Sequence, residues 1–597
     1  MEEKNIKKNL ITDKFLFILV LFVIILIKII PCFFIKSINS TTDEFTVIGT
    51  AAHLAGLDWS GTVRQSLYYG YVTSLLYTPF FKIPFLVARP QLLCRCLLLV
   101  NSAISICNFI LIYKSVSIIC KEKNIGKRTI LFIASLISIM PTLNAYEKQL
   151  TNETVYFFCY TVVFYCLLKE ITVKSKISIL YVVISGIFSV LCYATNSRGL
   201  TLIFIATLSQ IYILKVTKKL YYPLIYFLVL ILFVIIHKYV KGEVSIVHAT
   251  TNTISNTGMI SELISLFTTV DGLKRLAIGF VGIGTASTIG TFGIIFFVFI
   301  GFVNYLRKKE FSDVENITII FSIILFAASF VLSLAGLPLE YKKLLSAIST
   351  GIPYATQRGD KLFYDRYVSV SYPFFTIMFV IWLKKKLIPI TKKTALVYIT
   401  ISLCLYKLFV SLILAHLKGT FLLSASPILG QLISLTSEDY RFFSFTNTHF
   451  AILIALLLIG VLYYILNTDK KFLPILYLYF ILCFIYIISF QVIPKSDYFS
   501  SIVNQQALEY TDSHPDTVIM ASTDDDYLYQ FNAMEKTIIS RTNMDYIYKL
   551  DDNTNVLVLD SKTAAKIAAD TSVYESVVIG DAYYPLINKS DLVNYLR

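Results

Sequence analysis

Charge is scarce in this chain: Asp, Glu, Lys and Arg together make 15% of 597 residues, where a soluble globular protein carries about 25%. No cysteine follows Cys483, so the polar last hundred or so residues hold neither a disulfide framework nor a zinc-ligand spacing. All ten cysteines lie in or beside apolar segments and read as buried thiols. The G-x-x-x-x-G-K-[ST] loop that cradles nucleotide phosphates is missing, which leaves ATP hydrolysis without support. Asp524, Asp525 and Asp526 stand side by side without the spaced ligands of a calcium loop and read as a solvated turn. The apolar runs do not alternate with polar residues, which excludes a transmembrane β-barrel. No small-residue cleavage site follows the first of them, Phe15 to Ile35, so it reads as an uncleaved span.

Hydrophobic residues make up 56% of the sequence, and the mean hydropathy is +0.70. Runs of 17–25 apolar residues recur along most of the length. Each can cross a hydrocarbon core of about 30 Å, and helices are the form in which a lone segment satisfies its own backbone amides. The runs fall near 15–35, 92–117, 129–145, 153–168, 177–194, 199–214, 220–240, 276–306, 315–336, 367–383, 394–415, 449–467 and 473–493, which makes about 13 transmembrane helices. The stretch from Tyr71 to Arg89, interrupted by Pro79 and Pro84, predicts a membrane-surface or partly inserted helix.

The net charge of +15 is unevenly distributed. From Lys495 onward there are 8 Lys/Arg and 16 Asp/Glu, a net of −8, so residues 1–494 carry +23. That positive charge gathers in alternate short loops such as KEKNIGKR (121–128), KEITVKSK (169–176) and KKKLIPITKK (384–393). The positive-inside rule places such loops in the cytoplasm. The expected protein is therefore a polytopic α-helical protein of the cytoplasmic membrane, with no nucleic-acid partner and its N-terminus inside. Residues 1–494 form the transmembrane domain, with a long first outer loop at 37–91. Residues 495–597, rich in short β-branched runs, form a small extracytoplasmic α/β domain.

Chemistry-bearing residues gather in the loops of the outer side. Asp43 and Glu44 directly follow the first span and open an amphipathic helical stretch that ends near Gly56. Acids at a membrane surface are expensive to desolvate and mark function. Glu44 also reads as the partner of Thr41 in a capping box, a role that needs only one acid. The next outer loop holds Glu147 and Glu153, the latter also suited to the start of a helix. Arg358, Lys361 and Arg366 stand at the mouth of a later span, and Arg198 at the end of another. A guanidinium offers planar paired donors to a phosphate, and also snorkels to lipid headgroups. His53, Asp58, Arg64, Tyr68 and Tyr69 could line an entrance, while Trp59 reads as an interfacial belt residue.

The acidic pair after the first span, followed by a surface helix and the segments GLDWS (56–60) and YYGY (68–71), resembles the GT-C superfamily of integral-membrane glycosyltransferases. Protein O-mannosyltransferases and lipid A aminoarabinose transferases belong to it. The likeness covers the first 200 or so residues best, with a second patch near Arg366, Tyr367 and Pro373. It implies an inverting transfer of sugar from a polyprenyl-phosphate donor to a cell-envelope glycan, lipid or protein. By the same likeness Asp43, or Glu44, is the catalytic base. Glu153, with Glu147 as the alternate, positions the acceptor or a metal. Arg366 holds the donor phosphate, helped by Arg358, Lys361 or Arg198. No cofactor is required by this scheme, and a divalent metal stays open. Two other readings compete: a polysaccharide polymerase or ligase, and a lipid-linked saccharide transporter without covalent chemistry. The first would carry its key arginines in large outer loops and lack the acid pair. The second predicts repeated halves with broken helices at the midplane, and no repeat is evident.

Overall fold

The computed structural model describes residues 2–38, 42–63, 69–121, 125–173, 177–245, 256–308, 312–356, 361–362, 365–388, 390–422, 442–466, 469–489, 493, 502–521, 526–534, 538–540, 544–567, 574–579, 582–596. The expected domain boundary at 494/495 and residues Thr41, Arg64, Tyr68, Arg358, Asp524 and Asp525 lie outside them.

The protein is a multi-pass, mostly helical membrane protein. Among the described residues eight helices are long and apolar enough to cross a bilayer, or nine if one bent pair counts as a span. Their outward faces are apolar, as in the Tyr221–Ser245 helix, where Leu224, Leu228, Ile231 and Ile235 are exposed. In water such a surface would aggregate, whereas in lipid it is the solvent-facing side. Inside, one continuous core runs from Ile24 in the first span to Phe480 in the last.

Two of the expected spans are broken. The run at 276–306 is not one helix: Val270–Gly290 and Ile294–Arg307 meet at 102°. The corner is made by Phe292 (φ +52°) and Gly293 (φ +75°), two left-handed residues in succession that no helix accommodates. Tyr463 donates its hydroxyl to the Phe292 carbonyl at 3.0 Å, which satisfies a group the bend leaves free. The run at 129–145 stops at Ser138 and restarts as Pro141–Glu147. Met140 precedes a proline and is driven out of the helical region, to ψ 124°. Two glycines of the first half of the bent pair serve close packing, Gly279 lying under Leu334 and Gly282 under the Leu362 carbonyl. The stretch from Tyr71 to Arg89 forms two short helices, Val72–Phe81 and Pro84–Val87.

Strands β1 (Tyr354–Thr356), β2 (Leu417–Leu422) and β3 (Phe442–Ser444) form a small sheet between helices. The C-terminal domain holds the larger one, of β4 (Thr517–Ala521), β5 (Ile538–Ser540), β6 (Asn555–Val558), β7 (Tyr574–Ile579) and β8 (Ala582–Asn588). The order is β5-β4-β6-β8-β7, parallel at β5-β4-β6 and antiparallel beyond. Alternate residues point to opposite faces, so Met520, Val556 and Val558 build one apolar layer while Ile519, Ala521 and Leu557 build the other. Helices Ile502–Ser513 and Lys589–Leu596 pack beside the sheet, and the Asp526–Ala533 helix begins at the last residue of the acid triplet read as a turn.

Candidate functional site

The first loop sends the chain into the Thr42–Ala55 helix, whose opening turn carries Asp43 and Glu44. Carboxylates suit that position because the unpaired amides of a helix start favour negative charge. Successive helical residues point about 100° apart, so the two acids part company. Glu44 turns inward, 1% exposed, and accepts the backbone amide of Leu150 at 2.9 Å. It fastens the first loop to the second and is not presented to a substrate. Asp43 stays 29% exposed and meets Arg366, whose Nη1 donates to Asp43 Oδ2.

Arg366 sits in the single turn Asp365–Tyr367 just before the Tyr372–Lys384 helix. Its Nε and Nη2 reach Glu153 Oε1. Glu153 is the first residue of the Glu153–Thr172 helix and also takes Arg198 Nη2 at 2.9 Å. Asn196 orients Arg198, accepting its backbone amide at 3.0 Å and its Nε at 3.1 Å. Aromatic faces complete the setting: Arg198 lies 4.6 Å over Tyr367, and Arg366 5.1 Å over Tyr146. The second carboxylate oxygen of Glu153 is buried and accepts no hydrogen bond among the described residues.

Tyr69 lies beside Asp43, Tyr367 and Arg366. Burial first, and the Asp43 carboxylate next, raise its hydroxyl well above the ordinary phenol value, so it stays a proton donor toward Asp43. Its place is set by Gly70, φ +152°, where a side chain would overlap the carbonyls of Ala194 and Thr195. The Tyr71 amide donates to Ala194 at 3.1 Å, sealing that approach.

Two guanidiniums therefore face two carboxylates, drawn from four separate stretches of chain. Three of the four, Glu153, Arg198 and Arg366, border a cavity of about 630 Å³, counted with its open mouth, lined also by Tyr146, Glu147 and Lys28 among others. Glu147 does not face the Asp43 cluster. It lies buried between Lys28 Nζ (2.6 Å) and Lys148 Nζ (2.8 Å), with Ser102 Oγ at 3.3 Å. Lys361 pairs with Glu340 at 3.8 Å and not with either acid of the cluster. His53 and Asp58 are exposed. Trp59 is not a belt residue: it is 1% exposed, enclosed by the first loop and the C-terminal domain. Among the described residues no three His, Cys, Asp or Glu converge as a metal cluster.

The reading from sequence passed over Lys28, Lys148, Tyr146 and Asn196. Lys28 carried a signal, since a lysine inside an apolar span needs a partner or a purpose. The other three became visible only when the fold brought them in.

No protein-family profile and no curated protein sequence matches the chain. Solved structures do. ArnT from Cupriavidus metallidurans bound to undecaprenyl phosphate is similar at a TM-score of 0.50 and 11% identity, over 96% of this chain and 97% of that one. The apo state of the same protein gives 0.51 and 12%, over 96% and 98%. At such identity the likeness is one of fold: this chain shares the fold of that protein along nearly its whole length.

Proposed function

We propose that this protein moves a sugar from a polyprenyl-phosphate donor to a hydroxyl of a cell-envelope glycan, lipid or protein, on the extracytoplasmic side of the cytoplasmic membrane. One observation carries the reading: Arg366 bridges Asp43 and Glu153 at the rim of a cavity within the helical bundle. The basic alternate loops support the orientation, with the C-terminal domain outside. The ArnT structure of similar fold was determined with undecaprenyl phosphate, which supports a lipid phosphate as the class of donor.

The residues divide the chemistry as follows. The donor is a phosphodiester, with a single negative charge. Its phosphate competes with Asp43 for Arg366, because a guanidinium pairs its donors with phosphate oxygens at least as well as with a carboxylate. Asp43, released, accepts the proton of the acceptor hydroxyl as that oxygen attacks the anomeric carbon from the face opposite the phosphate. The new glycosidic C–O bond forms, the bond from the anomeric carbon to the phosphate oxygen breaks, and its electron pair leaves with the lipid phosphate. A second negative charge develops on that phosphate, and Arg366 and Arg198 are already in place to meet it. The unoccupied oxygen of Glu153 is free to orient the acceptor hydroxyl. Glu44 holds the loop and takes no part in proton transfer. In this scheme donor binding arms the base.

The test is transfer of labelled sugar from polyprenyl-phosphate sugars in proteoliposomes, wild type against Asp43→Asn. Transfer by the wild type that is lost in the variant supports the reading. Absence of both transfer and undecaprenyl phosphate binding in the wild type overturns it.

A further inference from the structure

The Asp526–Ala533 helix of the C-terminal domain ends in Met534 at φ +50°, a left-handed conformation disfavoured for any residue with a side chain. Strain of this kind persists where the surroundings impose it. Here it aims the Met534 carbonyl at the first loop, where it accepts the indole N–H of Trp59 at 2.6 Å. One turn earlier Gln530, 1% exposed, accepts the Thr62 hydroxyl at 3.2 Å. Both contacts join parts of the chain more than 460 residues apart.

The turn they hold is pressed directly on the helix that carries Asp43. The Trp59 ring lies parallel to Phe45, centroids 5.6 Å apart at 5°, and Phe45 is two residues beyond Asp43. At the other end of the turn Val63 seats on Gly49, where even a methyl group would come within 2.6 Å of Val63 Cγ2. Two points of contact, one near each end of the turn, fix the helix in rotation as well as in depth. Strand β5 packs on the same turn, and Phe531 joins the buried cluster of Phe45, Trp59 and Val63.

We propose that the C-terminal domain is a working part of the transfer site, and that Gln530 and Trp59 are positioning residues that set Asp43 against Arg366. The inference rests on the glycosyl-transfer reading given above. Through Met534 and Gln530 the domain locks the 59–63 turn, the turn locks the Thr42–Ala55 helix, and the helix presents Asp43. Misplacement of a reacting group by about 1 Å costs roughly 100-fold in rate, so loosening the grip acts on turnover rather than on lipid binding.

The test uses the full-length protein with Trp59→Phe, which keeps an aromatic ring on Phe45 and removes only the N–H, and with Gln530→Ala. Turnover is counted per site able to bind undecaprenyl phosphate, so that unfolded protein does not enter. Both variants are expected to lower kcat about tenfold, with KM for the lipid donor unchanged or lowered and never raised. Trp382 is the second of only two tryptophans. In a Trp382→Phe background the emission of Trp59 is therefore expected to shift to the red on adding Gln530→Ala. Wild-type kcat in both variants, with or without the red shift, overturns the positioning role while leaving the transfer reading intact. Loss of transfer already in the wild type removes both.

Discussion

Replacing Asp43 by Asn is expected to do two opposite things: abolish transfer and tighten lipid-phosphate binding. In the resting structure Asp43 occupies a donor of Arg366 that the phosphate requires, and its charge also repels the phosphate. Two unit charges about 4 Å apart interact by about 4 kcal/mol at an effective dielectric of roughly 20, and by about 0–1 kcal/mol when fully exposed. Asp43 is 29% exposed and Arg366 12%, which places the competition between these limits, at about 1–2 kcal/mol. That corresponds to about 5–30-fold tighter binding of undecaprenyl phosphate by Asp43→Asn. Loss of a general base lowers turnover by about 10²–10⁴. Binding of labelled undecaprenyl phosphate to protein in nanodiscs, beside transfer in proteoliposomes, reads both. The enhancement is expected to shrink in high salt. Weaker or unchanged binding by the variant would refute the exchange of Asp43 for phosphate on Arg366. Undiminished transfer would refute Asp43 as the base.

Arg366→Lys keeps the charge but loses the fork that spans Asp43 and Glu153, and undecaprenyl phosphate affinity is expected to fall by about 10–100-fold in the same assay. Glu44→Gln preserves an acceptor for the Leu150 amide and is expected to transfer sugar near the wild-type rate, whereas Glu44→Ala loses about 1–3 kcal/mol of stability, measured by thermal unfolding in detergent. Gly70→Ala drives a methyl group into the Thr195 carbonyl and is expected to lower the melting temperature and turnover together. Glu147→Gln leaves Lys28 and Lys148 buried without a counter-charge and is expected to destabilise by about 3–5 kcal/mol in a thermal-shift assay.

Helical spans were legible because each is a long apolar run, and the acid pair because it stands at the end of one. The meeting of Asp43, Glu153, Arg198 and Arg366 was legible only as residues at one side of a topology; the ion pairs themselves depend on packing between segments up to 323 positions apart. What escaped was local backbone geometry. The corner at Phe292–Gly293 lies in a run whose hydropathy gives no sign of it, while Pro141 did signal a break that the apolar pattern around it concealed. Glu44 shows the same limit at a single residue: adjacent acids look alike in sequence, and the helical rotation between them decides that one reaches a backbone amide and the other an arginine. Trp59 was placed by its type, and a docked domain overrode the preference.

The buried lysine of the first helix bears on how the protein is made. Lys28 lies near the end of the Asp13–Phe33 span and finds Glu147 only after more than a hundred further residues have been synthesised. Until then a lysine in a lipid-exposed helix reaches for the headgroups with its long stem, holding the helix at a different depth. When the Pro141–Glu147 helix arrives, the ammonium is drawn inside and Lys148 follows onto the carbonyl of Lys28. The final depth of the first span, and with it that of the loop bearing Asp43, therefore depends on a partner made more than a hundred residues later.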